Sequence, residues 1–118
     1  MTLYDRAKVT LWGYRDISPR AISEAGDTLV VDVREPYEHA AGHIPGARLV
    51  PITLLGTVLP GWDHRGDIVI VCRTGARSAG IAEALVSAGF HRVMNLAGDM
   101  LAYENAGLPI EREPARAW

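Results

Sequence analysis

The chain has 118 residues, 48% hydrophobic and 22% charged, a composition that argues against a disordered chain. Twelve basic residues against fourteen acidic ones give a net charge of −2, which sets aside a general nucleic-acid binder. A single cysteine, Cys72, excludes an intramolecular disulfide and a cysteine zinc site.

This length suits one domain over residues 1–118, with a core that needs no metal or disulfide staple. Only Lys8 is a lysine; the other eleven basic residues are arginines, whose forks suit oxyanions. Asp5, Arg6 and Lys8 near the start, with no apolar run behind them, argue against a signal peptide. No apolar stretch is long enough to span a membrane. The expectation is a cytoplasmic protein with a reduced thiol.

In chain order, Trp12 to Ile17 reads as an edge strand, and Ser18-Pro19 opens a short helix. Thr28 to Asp32 is a strand. Glu35 to Ala41 is a helix with Pro36 at its first position and Gly42 past its end. Arg48 to Val50 is a further short strand, and Leu59 to Asp67 reads as a loop. Ile68 to Val71 is short and continuously β-branched, as in a strand buried on both faces. Ser78 to Ala88 places Ile81, Ala82, Leu85 and Val86 on one helical face and stops at Gly89. Arg92 to Leu96 is the last strand. A helix from Gly98 to about Asn105 ends at Gly107-Leu-Pro109, and residues 111–118 read as a frayed tail. Strand and helix alternate, which predicts an α/β fold with a parallel sheet and helices on both faces. Ligands in such sheets bind beyond the carboxyl ends of the strands.

The segment after the central strand is Cys72-Arg73-Thr74-Gly75-Ala76-Arg77, with Ser78 opening a helix. Gly75 and Ala76 allow a tight curl whose N–H groups converge as an anion nest. The helix adds its positive end, and Arg73 and Arg77 add fixed charge. Each feature favours thiolate over thiol, so Cys72 is expected to be a nucleophile that attacks an anionic substrate. Three chemistries compete. Cysteine phosphatases need an arginine six positions after the cysteine, where this chain has Ser78. Disulfide or arsenate chemistry commonly uses a resolving cysteine, which is absent. Sulfur transfer needs one cysteine, a cup of N–H donors and cations for the donor.

The loop resembles that of the rhodanese sulfurtransferases, and the resemblance extends from about Ile17 to Ile110. Val30-Val-Asp-Val-Arg-Glu-Pro36, Ala41-Gly-His-Ile-Pro-Gly-Ala47 and Leu85-Val-Ser-Ala-Gly-Phe90 carry it. So do Leu96-Ala-Gly98 and Ala106-Gly-Leu-Pro-Ile110. It implies a rhodanese-like fold on a five-stranded parallel sheet, and a Cys72 that becomes a persulfide. Arg73, Thr74, Gly75, Ala76, Arg77 and Ser78 would then line the cup with backbone amides. Arg77, with Arg73, would hold thiosulfate or a similar small anionic donor. Ser78 would cap the helix and point its hydroxyl toward the sulfur. The acceptor would be cyanide or a thiol, including that of a thioredoxin-like or sulfur-carrier protein. No cofactor is implied beyond the covalent persulfide, and no nucleic acid or membrane. The rivals are a non-catalytic binding module and a cysteine phosphatase or arsenate reductase on the same fold.

Two positions depart from the family pattern: Asp99 stands where many members have a second glycine, and Tyr103 where many have tryptophan. Both are expected near the mouth of the site, where Asp99 would repel a donor anion. Asp32 and Arg34 read as a structural clamp between loops. His39 and His43 share the i, i+4 spacing of a metal pair, but Gly42 and Pro45 break the helix, so His43 is expected to fix a turn. His64 and His91 read as loop residues and Trp62 as a cover for the core. Glu35 and Glu38 read as a solvated helix face, with Glu35 favourable at the helix N-terminus.

Overall fold

A computed structural model describes residues 2–24, 28–73 and 76–112, with Ala76 described by its backbone alone. Helix α1 (Leu3–Arg6) is capped by Thr2, whose hydroxyl accepts from the Asp5 amide while Asp5 accepts from the Thr2 amide. Strands β1 (Lys8–Val9) and β2 (Arg15–Ile17) follow, then α2 (Pro19–Ser23), capped by Ser18. Strand β3 (Leu29–Asp32) leads to α3 (Pro36–Ala41), and β4 (Arg48–Leu49) to α4 (Ile52–Val58), which runs on into a 3₁₀ turn, Leu59–Gly61. The second half is β5 (Asp67–Val71), α5 (Ala76–Ser87), β6 (Arg92–Leu96) and α6 (Asp99–Asn105).

The strands form one sheet in the order β1-β2-β6-β5-β3-β4. Every neighbouring pair is parallel except β1 and β2, which are antiparallel. The sheet is therefore six-stranded and mixed, not five-stranded and parallel. The segment expected as an edge strand is interior, because Lys8–Val9 turns back and pairs outside it. The run expected as a plain loop after Leu59 begins with the 3₁₀ turn, and a helix not anticipated, α4, precedes it.

Alternation along β5 divides the core. Val69 and Val71 pack with Ile22 of α2 and with Met100 and Tyr103 of α6. Ile68, Ile70 and Cys72 point the other way, onto Leu55 of α4 and Ala82 and Leu85 of α5. Ile81 and Val86 flank that stripe, as the helical spacing predicts. Trp62 lies half-buried against the same core, around a cavity that includes Asp67 at the amino end of β5. It covers the core at the end of the sheet opposite Cys72. His64 stacks on Phe90 with centroids 4.1 Å apart, and its carbonyl accepts from the His91 amide.

Two further expectations change. Glu111 does not belong to a frayed tail: its backbone exchanges both hydrogen bonds with His43. Residues 113–118 lie outside the described residues. Tyr103 is fully buried, and its hydroxyl donates to the Pro109 carbonyl at 2.8 Å. It anchors the chain after α6, and the cavity it lines with Ile44 and Pro109 is not the cleft that Arg73 lines.

Candidate active site

Strands β3, β5 and β6 end side by side, and the segments that follow them meet at Cys72. The backbone there is tied from both sides. Val33 donates to the carbonyl of Val71, Met100 to that of Cys72 and Leu101 to that of Arg73. The first turn of α6 therefore clamps the cysteine's own peptide.

Cys72 is fully buried. Thr74 and Gly75, expected to line the cup, lie outside the described residues, and so does the side chain of Ala76. Arg73 and Arg77 are exposed. Arg73 lines a cleft of about 400 Å³ together with Arg34, Tyr37, Gly42 and Glu104. Arg77, in the first turn of α5, is not on that wall.

Ser78 is inside α5 and not at its cap, because the helix begins at Ala76. Its fully buried hydroxyl faces Asn95 Oδ1 at 2.6 Å and Asp99 Oδ2 at 2.8 Å. Asn95 was not singled out from sequence, although it is the one polar residue in the buried run Val93 to Leu96. A buried amide needs partners, which is the signal that would have found it.

Asp99 overturns its expected placement. It is wholly buried, beneath Cys72 and not at the mouth. Oδ1 accepts from the Cys72 amide at 2.7 Å, and Oδ2 lies 3.5 Å from Cys72 Sγ. Its backbone is left-handed, with φ of 49°, directly after Gly98 at 71°. That geometry favours glycine, and aspartate is among the few other residues that tolerate it. Gly98 itself is tightly held: a Cβ there would fall 2.5 Å from the Cβ of Ala102.

Burial pushes the Asp99 carboxyl above its ordinary pKa, against the opposing hydrogen bonds from Cys72 and Ser78, and nearby Asp32 adds to the rise. The folded chain keeps this proton at a pH where the unfolded chain has released it. Asp99 therefore favours folding fully below the ordinary carboxylate range, and that contribution is lost as pH rises through its raised value. The melting temperature of Asp99→Asn, measured against the parent, should accordingly gain a few degrees between about pH 4 and pH 7. A constant difference across that range would contradict the assignment.

Asp32 and Arg34 form a buried ion pair. Arg34 Nε donates to Asp32 Oδ1 and Oδ2 at 2.9 and 3.1 Å, and Nη2 donates to Asp32 Oδ2 and to the Gly42 carbonyl, both at 2.8 Å. His39 Nδ1 closes the other side of the carboxylate at 2.9 Å. Burial raises the Asp32 pKa, but the hydrogen bonds from His39 and Arg34 outweigh it and hold the carboxyl below its usual range. His43 donates from Nδ1 to the His39 carbonyl at 2.7 Å, and the two rings stack with centroids 3.7 Å apart. Their Nδ1 atoms are thus committed to Asp32 and to a turn. Among the described residues, no group of three or more His, Cys, Asp or Glu is placed to hold a metal ion.

A buried cysteine at a strand end, opening a helix and followed by arginine, sits on a fold that other proteins share. Residues 20–106 match the model of the rhodanese-like domain. The chain belongs to the rhodanese-like family. This rhodanese-like chain is 39% identical over 89 residues to a sulfurtransferase of Allochromatium vinosum, covering 75% of this chain and 83% of that one. It is 34% identical over 80 residues to the thiosulfate sulfurtransferase GlpE of Pseudoalteromonas translucida, covering 68% and 76%. In structure it resembles a rhodanese-related protein of Thermoplasma volcanium, with a TM-score of 0.76 and 29% identity over 85% of this chain and all of that one. Sulfurtransferases thus stand among the relatives of this rhodanese-like chain, and no helix among its described residues is long and apolar enough to cross a membrane.

Proposed function

We propose that the chain is a rhodanese-type thiosulfate sulfurtransferase working through a persulfide on Cys72. The observation that carries this reading is the position of Cys72, at the junction of β5 and α5 in a family that includes named sulfurtransferases. In the first half-reaction the Cys72 thiolate attacks the outer sulfur of thiosulfate. A new S–S bond forms, the bond to the sulfonate sulfur breaks, and sulfite leaves with its electron pair. In the second half-reaction cyanide or a thiolate attacks the outer sulfur of the persulfide and returns Cys72 as thiolate. The cycle is ping-pong with one covalent intermediate and needs no further cofactor.

Arg73 is the residue proposed to meet the anionic donor, since it is exposed beside the cysteine and lines the neighbouring cleft. The physiological acceptor is proposed to be a small thiol or the thiol of a thioredoxin-like or sulfur-carrier protein. The working compartment is proposed to be the cytoplasm, where the thiol stays reduced. The test is an intact mass of the reduced protein before and after thiosulfate. The expected result is a gain of one sulfur atom, reversed by cyanide. No gain with thiosulfate or any other sulfane donor would overturn the proposal in favour of a binding module.

A further inference from the structure

We propose that the cleft beginning at Arg73 receives the ammonium group of the sulfur acceptor, so that the acceptor is a small aminothiol. This rests on the reading of Cys72 as the residue that carries the sulfur. The grounds are the arrangement of charge along that cleft.

The cleft of about 400 Å³ has Arg34, Glu38, Arg73 and Glu104 on its wall. Their charges do not balance. Arg34 already belongs to Asp32 through the buried ion pair. Burial works against its guanidinium charge, and Asp32, Glu38 and Glu104 together outweigh that cost, so three carboxylates lean on one cation. Among the described lining residues, Arg73 is then the remaining cation against two glutamates, and the wall has a surplus of negative charge.

The two signs are also laid out in order. The Leu101 amide donates to the Arg73 carbonyl, which places Arg73 beside the start of α6. Glu104 follows Leu101 by three residues, about one turn of that helix. Its carboxylate stands over Gly42 at the end of α3, where an added Cβ would lie 3.6 Å from Glu104 Oε1. Glu38, on α3 itself, accepts from the Glu35 amide at 3.0 Å and so keeps a fixed place. Tyr37 is 74% exposed and adds an aromatic wall. Carboxylates with an aromatic face suit an ammonium group. A thiol attacking at Cys72 can reach Glu104 with an ammonium a few bonds from its sulfur.

The same cleft serves two charges in turn. The donor anion meets Arg73 and leaves as sulfite before the acceptor enters. The acceptor thiolate then attacks the outer sulfur of the Cys72 persulfide. A new S–S bond forms, the bond to Sγ breaks, and Cys72 leaves as thiolate with that electron pair. The ammonium takes no part in these bonds. Its pairing with Glu104 favours the aminothiol over a neutral thiol of equal reactivity.

The test is the acceptor half-reaction with cysteamine, which is cationic, 2-mercaptoethanol, which is neutral, and 3-mercaptopropionate, which is anionic. Each is compared in the parent, Glu104→Gln and Glu104→Lys, so that the acidities of the thiols themselves cancel. Glu104 is exposed, so both variants are expected to fold. Relative to 2-mercaptoethanol, kcat/KM for cysteamine should fall about threefold in Glu104→Gln and about tenfold in Glu104→Lys. The ratio for 3-mercaptopropionate should move the opposite way, and about 0.5 M sodium chloride should shrink both differences. Sulfur uptake by the parent from thiosulfate, with discharge to cyanide, is read separately by mass. A parent that takes up no sulfur overturns the proposed function and this inference with it. A parent that loads and discharges to cyanide, with thiol ratios unchanged across the three proteins or moving the other way, overturns this inference alone.

Discussion

Cys72→Ser should reduce thiosulfate-to-cyanide sulfur transfer to the rate found without protein, and leave the fold in place. The hydroxyl would stand in the same buried cluster as Ser78 and Asp99, so it does not enter wholly apolar surroundings. The β5 backbone and the clamping bonds from Met100 and Leu101 do not depend on the side chain. A melting temperature within about 5 °C of the parent is therefore expected, as for a near-isosteric substitution. Chemistry is what is lost. A serine hydroxyl ionises far above the working pH and cannot hold a sulfane sulfur as a persulfide. Steady-state transfer with thermal unfolding on the same preparations checks both halves. Retained turnover in a folded variant would remove Cys72 from the reaction.

Arg34→Ala should be among the most damaging single changes outside the reacting residue. It removes the fork that holds the Asp32 carboxylate on two oxygens and leaves that carboxylate buried, with His39 as its remaining side-chain partner. It also withdraws the donor to the Gly42 carbonyl, which ties the segment after β3 to the end of α3. Breaking one partner out of a buried ion pair typically costs about 3–5 kcal/mol. For a chain of this size that corresponds to a fall in melting temperature on the order of 15 °C. Because the penalty comes from the stranded charge, adding Asp32→Asn to Arg34→Ala should recover part of the loss. If the double variant melts lower by the sum of two independent losses, the charge is not the cause. The low carboxyl pKa of Asp32 gives its own signature: its contribution is present above the ordinary carboxylate range and is lost as pH falls through the lowered value.

The central half of the molecule was readable because its signals are local and strong. Ile68 to Val71 is a continuous apolar run, Val93 to Leu96 is apolar apart from Asn95, and the helix after Cys72 has a clean stripe ending at a glycine. The Asp32–Arg34 contact spans two residues, and a contact that short is visible in a sequence. Other elements were hidden by brevity or weak propensity. Helix α1 has four residues and β1 two, so neither shows a period; the Thr2 and Asp5 capping pair was the available clue. Helix α4 begins after Pro51 and contains two threonines and a glycine, which intrinsic preference does not favour in a helix. The environment of Cys72 was half visible. Its flanking arginines follow it directly, but Asp99 and Asn95 arrive from 27 and 23 positions away. Asp99 stood out as a departure from the family pattern, yet no local rule says whether a residue after the last strand turns outward to the mouth or inward under the cysteine. The left-handed backbone at 98 and 99 decides that, and it turns inward.

The sheet closes at both margins with its shortest strands, Lys8–Val9 on one side and Arg48–Leu49 on the other. An incoming extended segment from another copy would find a ladder only two residues long at either margin, too little to stabilise a cross-chain strand pair. Self-association by strand addition is thereby discouraged at both margins, and any copy-to-copy contact is left to side-chain surfaces such as the exposed Leu11 and Trp12 between β1 and β2.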